Sequence, residues 1–458
     1  MPRSSPHQTH FTRQVRLLLD SIYGQGKRQA SVLEHAINYY KNTAFISSSE
    51  SNDSQQNKLL NTLRIQSHAH IHSVCLDILA LTEGENFADT NRKTAQFLGT
   101  IQLVTSTENK HIAKENEQNK VVYKAVLALR LLDNLCEHSL INDPYIEGCI
   151  DNISPENVHQ LSNQADGAQH RYLSQVKVSI LMAALLQDIG LYHPKARELL
   201  VGADEQENPF RELTPEERKK VFHINYRETC NYINEGIGLG TYVGNSKDER
   251  DQYDIDQKAR IAFILNLIKL SLKPAQSIGN VLKVPQIYTS IIFSTKDNYD
   301  YKLLPVVFHV LNKHVELDHC SKEAVDSLYQ ITGMFPQGYG VVYMPTDDSG
   351  IQTDCYEYAI VNQLYPENPK HPMCRTATRK LSFVGFGQDI VVKQSNNLYF
   401  PEMAKKMTRL SKDRLSEILK LLCSNAQERQ GMDLLPRCWH ANNFFSVKTN
   451  QKLWNKVE

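Results

Sequence analysis

The stretch that decides the fold is Val178-Ser-Ile-Leu-Met-Ala-Ala-Leu-Leu-Gln-Asp-Ile-Gly-Leu-Tyr-His-Pro-Lys195, followed by Leu213-Thr-Pro-Glu-Glu217 and then by His223. The first segment is an apolar helix with a Gln-Asp pair at its end. In the second, Thr214 takes the N-cap position, Pro215 the first helical position and Glu217 the capping-box position. A helix therefore begins there and runs through His223 to about Ile233, and the middle of the chain is predicted to be helical.

The chain before this stretch is also predicted to be helical, because apolar residues recur at helical spacing from Phe11 to about Leu140. Two polar stretches interrupt the pattern: residues 47–57, which we expect to be an exposed loop, and residues 106–111, which precede a further helix. We place a boundary near residue 115, between an N-terminal helical region (1–115) and a middle domain (116–333). Within the middle domain, residues 253–272 and 303–314 are predicted helices.

The pattern changes after Gly333. Short β-branched or aromatic runs bounded by Gly, Pro, Asn and Asp predict strands at residues 341–343, 356–361, 380–384 and 389–393. Helical spacing returns from Pro401 to Cys423, and residues 439–454 are predicted to be irregular or strand-like. The chain is therefore predicted to be mainly α, and α+β overall, with a small β-rich C-terminal domain (334–458) that contains a helix at about 401–425.

The composition excludes several classes of partner. The chain has 51 basic and 51 acidic residues and a pI near 7.3, so no net field draws it to nucleic acid or to an anionic membrane. No apolar run approaches the ~20 residues of a membrane span, and the first residues lack the apolar segment of a secretory signal. Nine cysteines without a CxxC pair indicate reduced thiols. We expect a cytoplasmic protein with no membrane span and no nucleic-acid partner.

The order of these motifs resembles the HD-GYP branch of the HD-domain metal-dependent phosphohydrolases, whose members hydrolyse cyclic di-GMP at a centre of two or three metal ions. In that family an apolar helix ends in Leu-Leu-His-Asp-Ile-Gly-Lys, and a Leu-Thr-x-Glu-Glu helix then supplies a metal-binding histidine. Two further segments match, Ala259-Arg-Ile-Ala-Phe-Ile-Leu-Asn266 and Gly333-Met-Phe-Pro-Gln-Gly-Tyr-Gly-Val-Val-Tyr343. The resemblance covers residues from about 120 to 345. It implies an HD-type helical bundle and, in an active member, bound iron or manganese.

Most of the metal-binding positions that the resemblance implies have changed. Gln187 stands where the family has the histidine of its His-Asp pair, Asp188 is kept, and Asn266 stands at a later aspartate position. Leu191 replaces a lysine that would be available to a substrate phosphate. Neutral amides are poor substitutes for imidazole and carboxylate ligands. Asp188 and His223 are the two metal ligands that the resemblance still predicts.

The interval between His223 and Arg260 contains no histidine, although the family has a His-His-Glu group and a Gly-x-Gly-Tyr-Pro sequence there. This absence removes two more ligands. His138 and His159 are both candidates for the first histidine of the family, and neither has the expected spacing. The interval is the strongest sequence evidence against hydrolysis.

A glycine-rich loop stands in that interval, with the sequence Asn234-Glu-Gly-Ile-Gly-Leu-Gly-Thr-Tyr-Val-Gly244. A loop without a binding role is favoured, because no strand-to-helix context surrounds it. The alternative is a nucleotide-binding loop whose backbone amides meet a phosphate. Its candidate residues are Gly236, Gly238, Gly240 and Tyr242.

Three other polar groups are not interpreted as binding sites. His68-Ala-His-Ile-His72 lies in a predicted helix, where alternate residues do not share a face, so a solvated histidine cluster is expected. His314, His319 and Cys320 lack a fourth ligand at convincing spacing. The basic residues of the helix after Pro401 are expected to form a solvated face.

Two functions remain open. The lost ligands favour a catalytically inactive or impaired signalling protein of HD-GYP type, without a cofactor, that senses cyclic di-GMP or serves as a scaffold for protein partners. The alternative is an active metal-dependent phosphodiesterase with a rearranged site, in which His138, His159 or His170 adds ligands beside Asp188 and His223. A further, purely structural option is a filled pocket, with only the N-terminal helical region or the β-rich C-terminal region binding a protein partner. The alignment with the family has its own check: four remnant positions should converge on one pocket, and if they do not, the alignment is wrong. These positions are Gln187, Asp188, His223 and Asn266.

Overall fold

The computed structural model describes residues 7–24, 29–48, 54–105, 112–150, 171–202, 204, 206–296, 299–346, 351–423, 429 and 433–455. Most of these residues are helical, and a small antiparallel sheet follows the helices. The prediction of a mainly α chain with a C-terminal β-rich part is confirmed at this level.

Four helices precede the middle of the chain: α1 His10–Tyr23, α2 Val32–Ser48, α3 Ser54–Thr82 and α4 Phe87–Val104. Thr9 and Asn86 cap α1 and α4, since their side chains accept hydrogen bonds from the first-turn amides. The exposed loop predicted at residues 47–57 is wrong in part, because residues 47–48 end α2 and residues 54–57 begin α3. Polar residues such as Ser and Gln have only a small helix penalty, which the packing of the rest of α3 outweighs. The second polar stretch, residues 106–111, lies outside the described residues.

The middle of the chain is helical throughout the part that the structure describes. Its α-helices are α5 Ile112–Glu137, α6 Pro144–Ile150, α7 Val178–Leu186, α8 Pro194–Val201, α9 Pro215–Asn231, α10 Lys247–Leu272, α11 Asn280–Ile292, α12 Val307–Glu316 and α13 Lys322–Thr332. Wide π-helical turns occur at Tyr172–Lys177 and Tyr232–Ile237, and tight 3₁₀ turns at Ile189–Tyr192 and Tyr301–Val306. The predicted start of α9 is confirmed: Thr214 accepts from the Glu217 amide, and the Glu217 carboxylate accepts from the Thr214 amide.

Two helices form the centre of the bundle. All nine residues of α7 are buried, and so is the α5 segment from residue 121 to residue 136. Helix α5 packs against α4, α7, α11 and α13. Among the described residues, Tyr172–Tyr192 has the length and apolar composition of a membrane span, although no apolar run of that length was expected from the sequence. However, 78% of its apolar window is buried inside the protein. Such burial is what the central helix of a folded bundle requires.

The sheet has the strand order β1-β2-β3-β6, with all neighbours antiparallel. The strands are β1 Gly340–Tyr343, β2 Glu357–Val361, β3 Met373–Thr376 and β6 Asp389–Val391, beside a hairpin of β4 Thr378–Arg379 and β5 Ser382–Phe383. Strand β3 was not predicted, because the buried Arg375 breaks its apolar pattern and pairs with Asp389 across the sheet. The strand predicted at 380–384 is mostly a turn, since Lys380 and Leu381 have φ values of 50° and 60°.

The C-terminal residues return to the helical part of the molecule. The helix predicted at 401–425 is two helices, α14 Pro401–Met407 and α15 Lys412–Leu422, because Ser411 caps a new start. Residues 439–454 contain the short α16 Asn442–Phe445 and a 3₁₀ turn at Lys448–Gln451. The Trp454 ring packs against Gly99 of α4, where an added Cβ would lie 2.4 Å from the ring. The three predicted regions therefore share one hydrophobic core, and the domain boundaries stay a prediction.

Candidate functional site

Gln187 and Asp188 lie directly after α7, among α5, α10 and α11. Gln187 is 6% exposed, and the Asp188 side chain is 25% exposed. The last carbonyl groups of a helix and its dipole create a negative end. The polar pair therefore sits at a place in the bundle that favours a cation.

Lys124 of α5 supplies that cation. Its ammonium Nζ donates to Gln187 Oε1 at 3.1 Å and to Asp188 Oδ2 at 3.0 Å, and the side chain is only 3% exposed. The other polar atoms of the pair are also bonded: Gln187 Nε2 donates to Ser271 Oγ at 3.2 Å, and Gln286 Nε2 donates to Asp188 Oδ1 at 3.4 Å. A buried ammonium is tolerated here because a carboxylate neutralises it.

The charges around Asp188 keep its carboxylate ionised. Burial alone would raise the pKa of Asp188, but the Lys124 ammonium, with Lys120 and Lys283 farther away, lowers the pKa below its ordinary value. Burial also lowers the pKa of Lys283, against the opposing effect of the Asp188 charge. One carboxylate is thus surrounded by three lysines, so this end of α7 carries excess positive charge.

Helix α9 closes the other side of the pair. Asn225 Nδ2 and Thr229 Oγ1 both donate to the backbone oxygen of Gln187, at 3.4 and 3.5 Å. The Gly190 amide donates to Thr229 Oγ1 at 3.0 Å. A Cβ at Gly190 would lie 2.3 Å from the Asn225 backbone oxygen. Only glycine fits this close approach of the turn to α9.

His223 and Asn266 do not face this pair. His223 is exposed, and it precedes Asn225 by two residues, which places it about 200° around α9 from the side that contacts Gln187. Asn266 is exposed on α10, whereas the α10 residue that contacts Gln187 is Ser271. The four positions therefore do not converge, because the helix faces turn His223 and Asn266 to solvent, and this result counts against the alignment with the family.

The histidines proposed as further ligands do not complete a metal site. His138 is exposed, its Nδ1 lies 2.8 Å from the Asn134 backbone oxygen, and it follows Lys124 by about 21 Å along the axis of α5. His159 lies outside the described residues. Within the described ranges, no three His, Cys, Asp or Glu side chains are arranged to hold a metal ion. The residues around Asp188 do not fit a dinuclear metal centre, because both carboxylate oxygens already accept hydrogen bonds from Lys124 and Gln286.

The glycine-rich loop has a packing role. The Gly238 amide donates to the Ile233 oxygen and the Gly240 amide to Gln257 Oε1, so neither is available to a phosphate. Gly238 has a φ of 58°, and a Cβ at Gly240 would lie 2.3 Å from the Tyr253 hydroxyl. Gly236 similarly packs on the Tyr232 ring, and the exposed Tyr242 hydroxyl donates to Glu249. These contacts disfavour the nucleotide-binding interpretation of the loop.

A cleft of about 740 Å³ opens beside the Asp188 region. It is lined by Leu191 and Tyr192, by Tyr23 and residues of α2, and by residues of the segment from Pro209 to Phe222. Burial raises the pKa of Tyr23, and the nearby Tyr192 and Asp188 act in the same direction. The cleft therefore joins α1, α2, α5 and α9 around the end of the central helix.

The lining of the cleft combines positive charge with aromatic rings. Six basic and three acidic side chains line it, although the whole chain is neutral, so the cleft concentrates positive charge locally. Its basic residues are Lys114, Lys120, Arg197, Arg211, Arg218 and Lys296, and its aromatic residues are Tyr23, Tyr192, Phe210 and Phe222. The Arg197 guanidinium lies 6.0 Å above the Tyr192 ring. Phosphates and flat rings are the groups that such a lining recognises.

The histidine cluster of α3 is partly buried, contrary to the expected solvated cluster. Burial, followed by the proximity of His72, lowers the pKa of His68 to about 4. His70 lies on another face of α3, where its ring meets that of His35 at a centroid distance of 5.3 Å. His314 and His319 do form an exposed pair, with their Nδ1 atoms 3.2 Å apart. None of these groups joins the Asp188 region.

A second set of buried charges ties α5 to its neighbours. Asp133 pairs with Arg130 at 3.1 Å and with Lys177 at 3.3 Å. Glu83 pairs with Lys177 at 2.9 Å and also with Arg130. The Tyr172 hydroxyl donates to Asp133 Oδ1 at 3.1 Å. The charges balance, and Asp133 is fully buried. This network is structural, since it lies along the packed side of α5.

Sequence reasoning missed Lys124, the residue that defines the site. The available signal was a set of three charges, at residues 124, 130 and 133, inside an otherwise apolar segment of α5. Charged residues in a helix that is buried on all sides must be paired. Ser271 and Gln286 had no comparable signal, because polar residues are ordinary on partly exposed helices.

Comparison of the chain with known protein families, with curated proteins and with solved structures gives no match.

Proposed function

We propose that the chain is a catalytically silent, HD-GYP-like signalling protein that binds an anionic ligand with flat rings, cyclic di-GMP in the first place, in the cleft beside Asp188. In this proposal the protein works in the cytoplasm and needs no metal ion. The output of the bound state passes to a protein partner.

The observation that carries the proposal is the lining of the cleft. Lys114, Arg197, Arg218 and Lys296 have no carboxylate partner among the described residues, so their charges are available to phosphate groups. The aromatic side chains of Tyr192, Phe210 and Phe222 line the same cleft, while Tyr23 is 2% exposed and packs against Tyr192. A cyclic dinucleotide presents two phosphates, which basic side chains bind, and two purines, which stack on aromatic rings.

The absence of hydrolysis is supported by the contacts of Asp188. Its two oxygens accept from Lys124 and Gln286, and Gln187 offers a neutral oxygen that also accepts from Lys124. The alternative, an active phosphodiesterase, needs further ligands from histidine. His138 and His223 are exposed and do not face Asp188, and His159 and His170 lie outside the described residues, so nothing in the described part of the chain favours the alternative.

Titration calorimetry with cyclic di-GMP tests the proposal. We expect one saturable binding event that is the same in EDTA and in added Mn²⁺, and we expect the dinucleotide to be recovered intact by chromatography. Binding that requires Mn²⁺, or conversion of the dinucleotide to a linear product, would contradict the silent-sensor proposal. If millimolar dinucleotide gives no binding heat, the sensor function is excluded. A scaffold function that binds no dinucleotide would then remain.

Two cleft variants locate the binding site. Arg218→Ala and Arg197→Ala are each expected to weaken binding by about tenfold or more, because each removes a charge-assisted hydrogen bond to phosphate. Lys219→Ala is the matched control, since Lys219 is exposed next to Arg218 but does not line the cleft. Equal effects of Arg218→Ala and Lys219→Ala would indicate non-specific attraction rather than a site.

A further inference from the structure

We infer that Lys124 is a built-in cation, whose ammonium group holds Gln187 and Asp188 in place of an exchangeable ion. The inference concerns the integrity of the site and does not depend on which ligand the cleft binds. It follows from three features of the same group of atoms.

The first feature is the convergence of acceptors on one nitrogen. Gln187 Oε1 and Asp188 Oδ2 lie 3.1 and 3.0 Å from Lys124 Nζ. Two oxygens from neighbouring residues, one of them charged, form a small pocket for a cation. The ammonium reaches these oxygens from α5.

The second feature is the burial of the lysine. Its side chain is 3% exposed, and lysine is almost never buried unless it is paired. A flexible surface lysine would gain little from such a pair, whereas a buried one has no alternative partner in water. Lys124 is therefore committed to these two acceptors.

The third feature is the position at a helix end. The pair follows the last residue of α7, where the dipole of the helix favours positive charge. Gln286 and Ser271 bind the outer atoms of the same two side chains, so the arrangement is fixed from α10 and α11 as well. Through Gln187 and Asp188, the ammonium thus connects α5 with the end of α7 and with α10 and α11.

Replacement of the tethered cation by a free one tests the inference. Lys124→Ala removes three methylene groups and the ammonium, which together correspond to n-propylammonium. We expect Lys124→Ala to lower the melting temperature by on the order of 5 °C. We also expect n-propylammonium chloride to restore much of this loss in a saturable manner, because ligands that bind only the folded state stabilise it.

Two solutes and one variant serve as controls. Neither n-propanol, which has the size without the charge, nor tetramethylammonium, which has the charge without the donors, should restore stability. Lys120→Met is the matched variant, since Lys120 lies one turn earlier on α5 and pairs with Glu117 instead. Its melting temperature should not respond to n-propylammonium.

The inference is overturned if Lys124→Ala folds and responds equally to n-propylammonium and to the control solutes. It is also overturned if Mn²⁺ stabilises the wild-type protein and Asp188→Asn abolishes that effect, because the acceptors would then bind a metal ion. If Lys124→Ala does not fold, Lys124→Met, Asp188→Asn and the double variant decide. If the loss of stability in the double variant equals the sum of the two single losses, the inference is contradicted. If the double variant loses less stability than that sum, the inference is supported.

Discussion

The buried charges around Asp133 provide the strongest stability prediction. Asp133 is fully buried and contacts Arg130 at 3.1 Å, Lys177 at 3.3 Å and the Tyr172 hydroxyl at 3.1 Å. Asp133→Asn keeps the shape of the side chain, but it leaves the buried Arg130 and Lys177 with Glu83 as their remaining carboxylate partner among the described residues. Breaking a buried ion pair in this way costs about 3–5 kcal/mol. We therefore expect Asp133→Asn to lower the free energy of unfolding by about that amount.

Urea denaturation followed by circular dichroism measures this change, with the midpoint and the slope fitted separately. Asp326→Asn is the matched control, because Asp326 pairs with Lys322 on the exposed surface of α13 and its loss should leave the midpoint unchanged. A loss below about 1 kcal/mol for Asp133→Asn would refute the reasoning, since it would mean that water or relaxation compensates the uncovered charge.

Three further outcomes are expected. Asp188→Asn should destabilise the protein most near neutral pH, because a carboxylate with a lowered pKa contributes stability only while it is ionised. The difference in stability between the variant and the wild type should therefore shrink as the pH falls below about 4. Urea midpoints at pH 7 and pH 3.5 measure this difference, and a constant difference would contradict the prediction. Gly190→Ala should lower the free energy of unfolding by about 2 kcal/mol or more, since its Cβ would meet the Asn225 backbone. Thermal melts measure this loss, and an unchanged stability would show that α9 can shift to make room for the Cβ. His223→Ala should change the free energy of unfolding by less than about 0.5 kcal/mol and should leave dinucleotide binding intact. Loss of dinucleotide binding in this variant would instead indicate a metal site that includes His223.

The sequence predicted the features that depend on local chemistry. Thr214, Pro215 and Glu217 define the start of α9 by capping alone, and the structure has that start. The apolar run before Gln187 was sufficient to predict a helix with a polar pair at its end, and the structure adds that this helix is central. Both inferences use residues within a few turns of each other.

The features that depend on distant residues could not be predicted. A shift of two positions on α9 separates the exposed His223 from the inward-facing Asn225, and motif spacing does not resolve a shift of that size. Lys124 lies 63 residues before Gln187, and their contact depends on how α5 crosses α7. The cleft likewise brings together α1, α2, α5 and α9, whose packing is set by tertiary structure.

The most direct test of the account is calorimetric titration of the purified protein with cyclic di-GMP in EDTA, with chromatography of the dinucleotide afterwards. The account predicts saturable binding without metal, weakened by Arg218→Ala and not by Lys219→Ala, and intact dinucleotide at the end. Turnover that appears with Mn²⁺ and disappears in Asp188→Ala would contradict it.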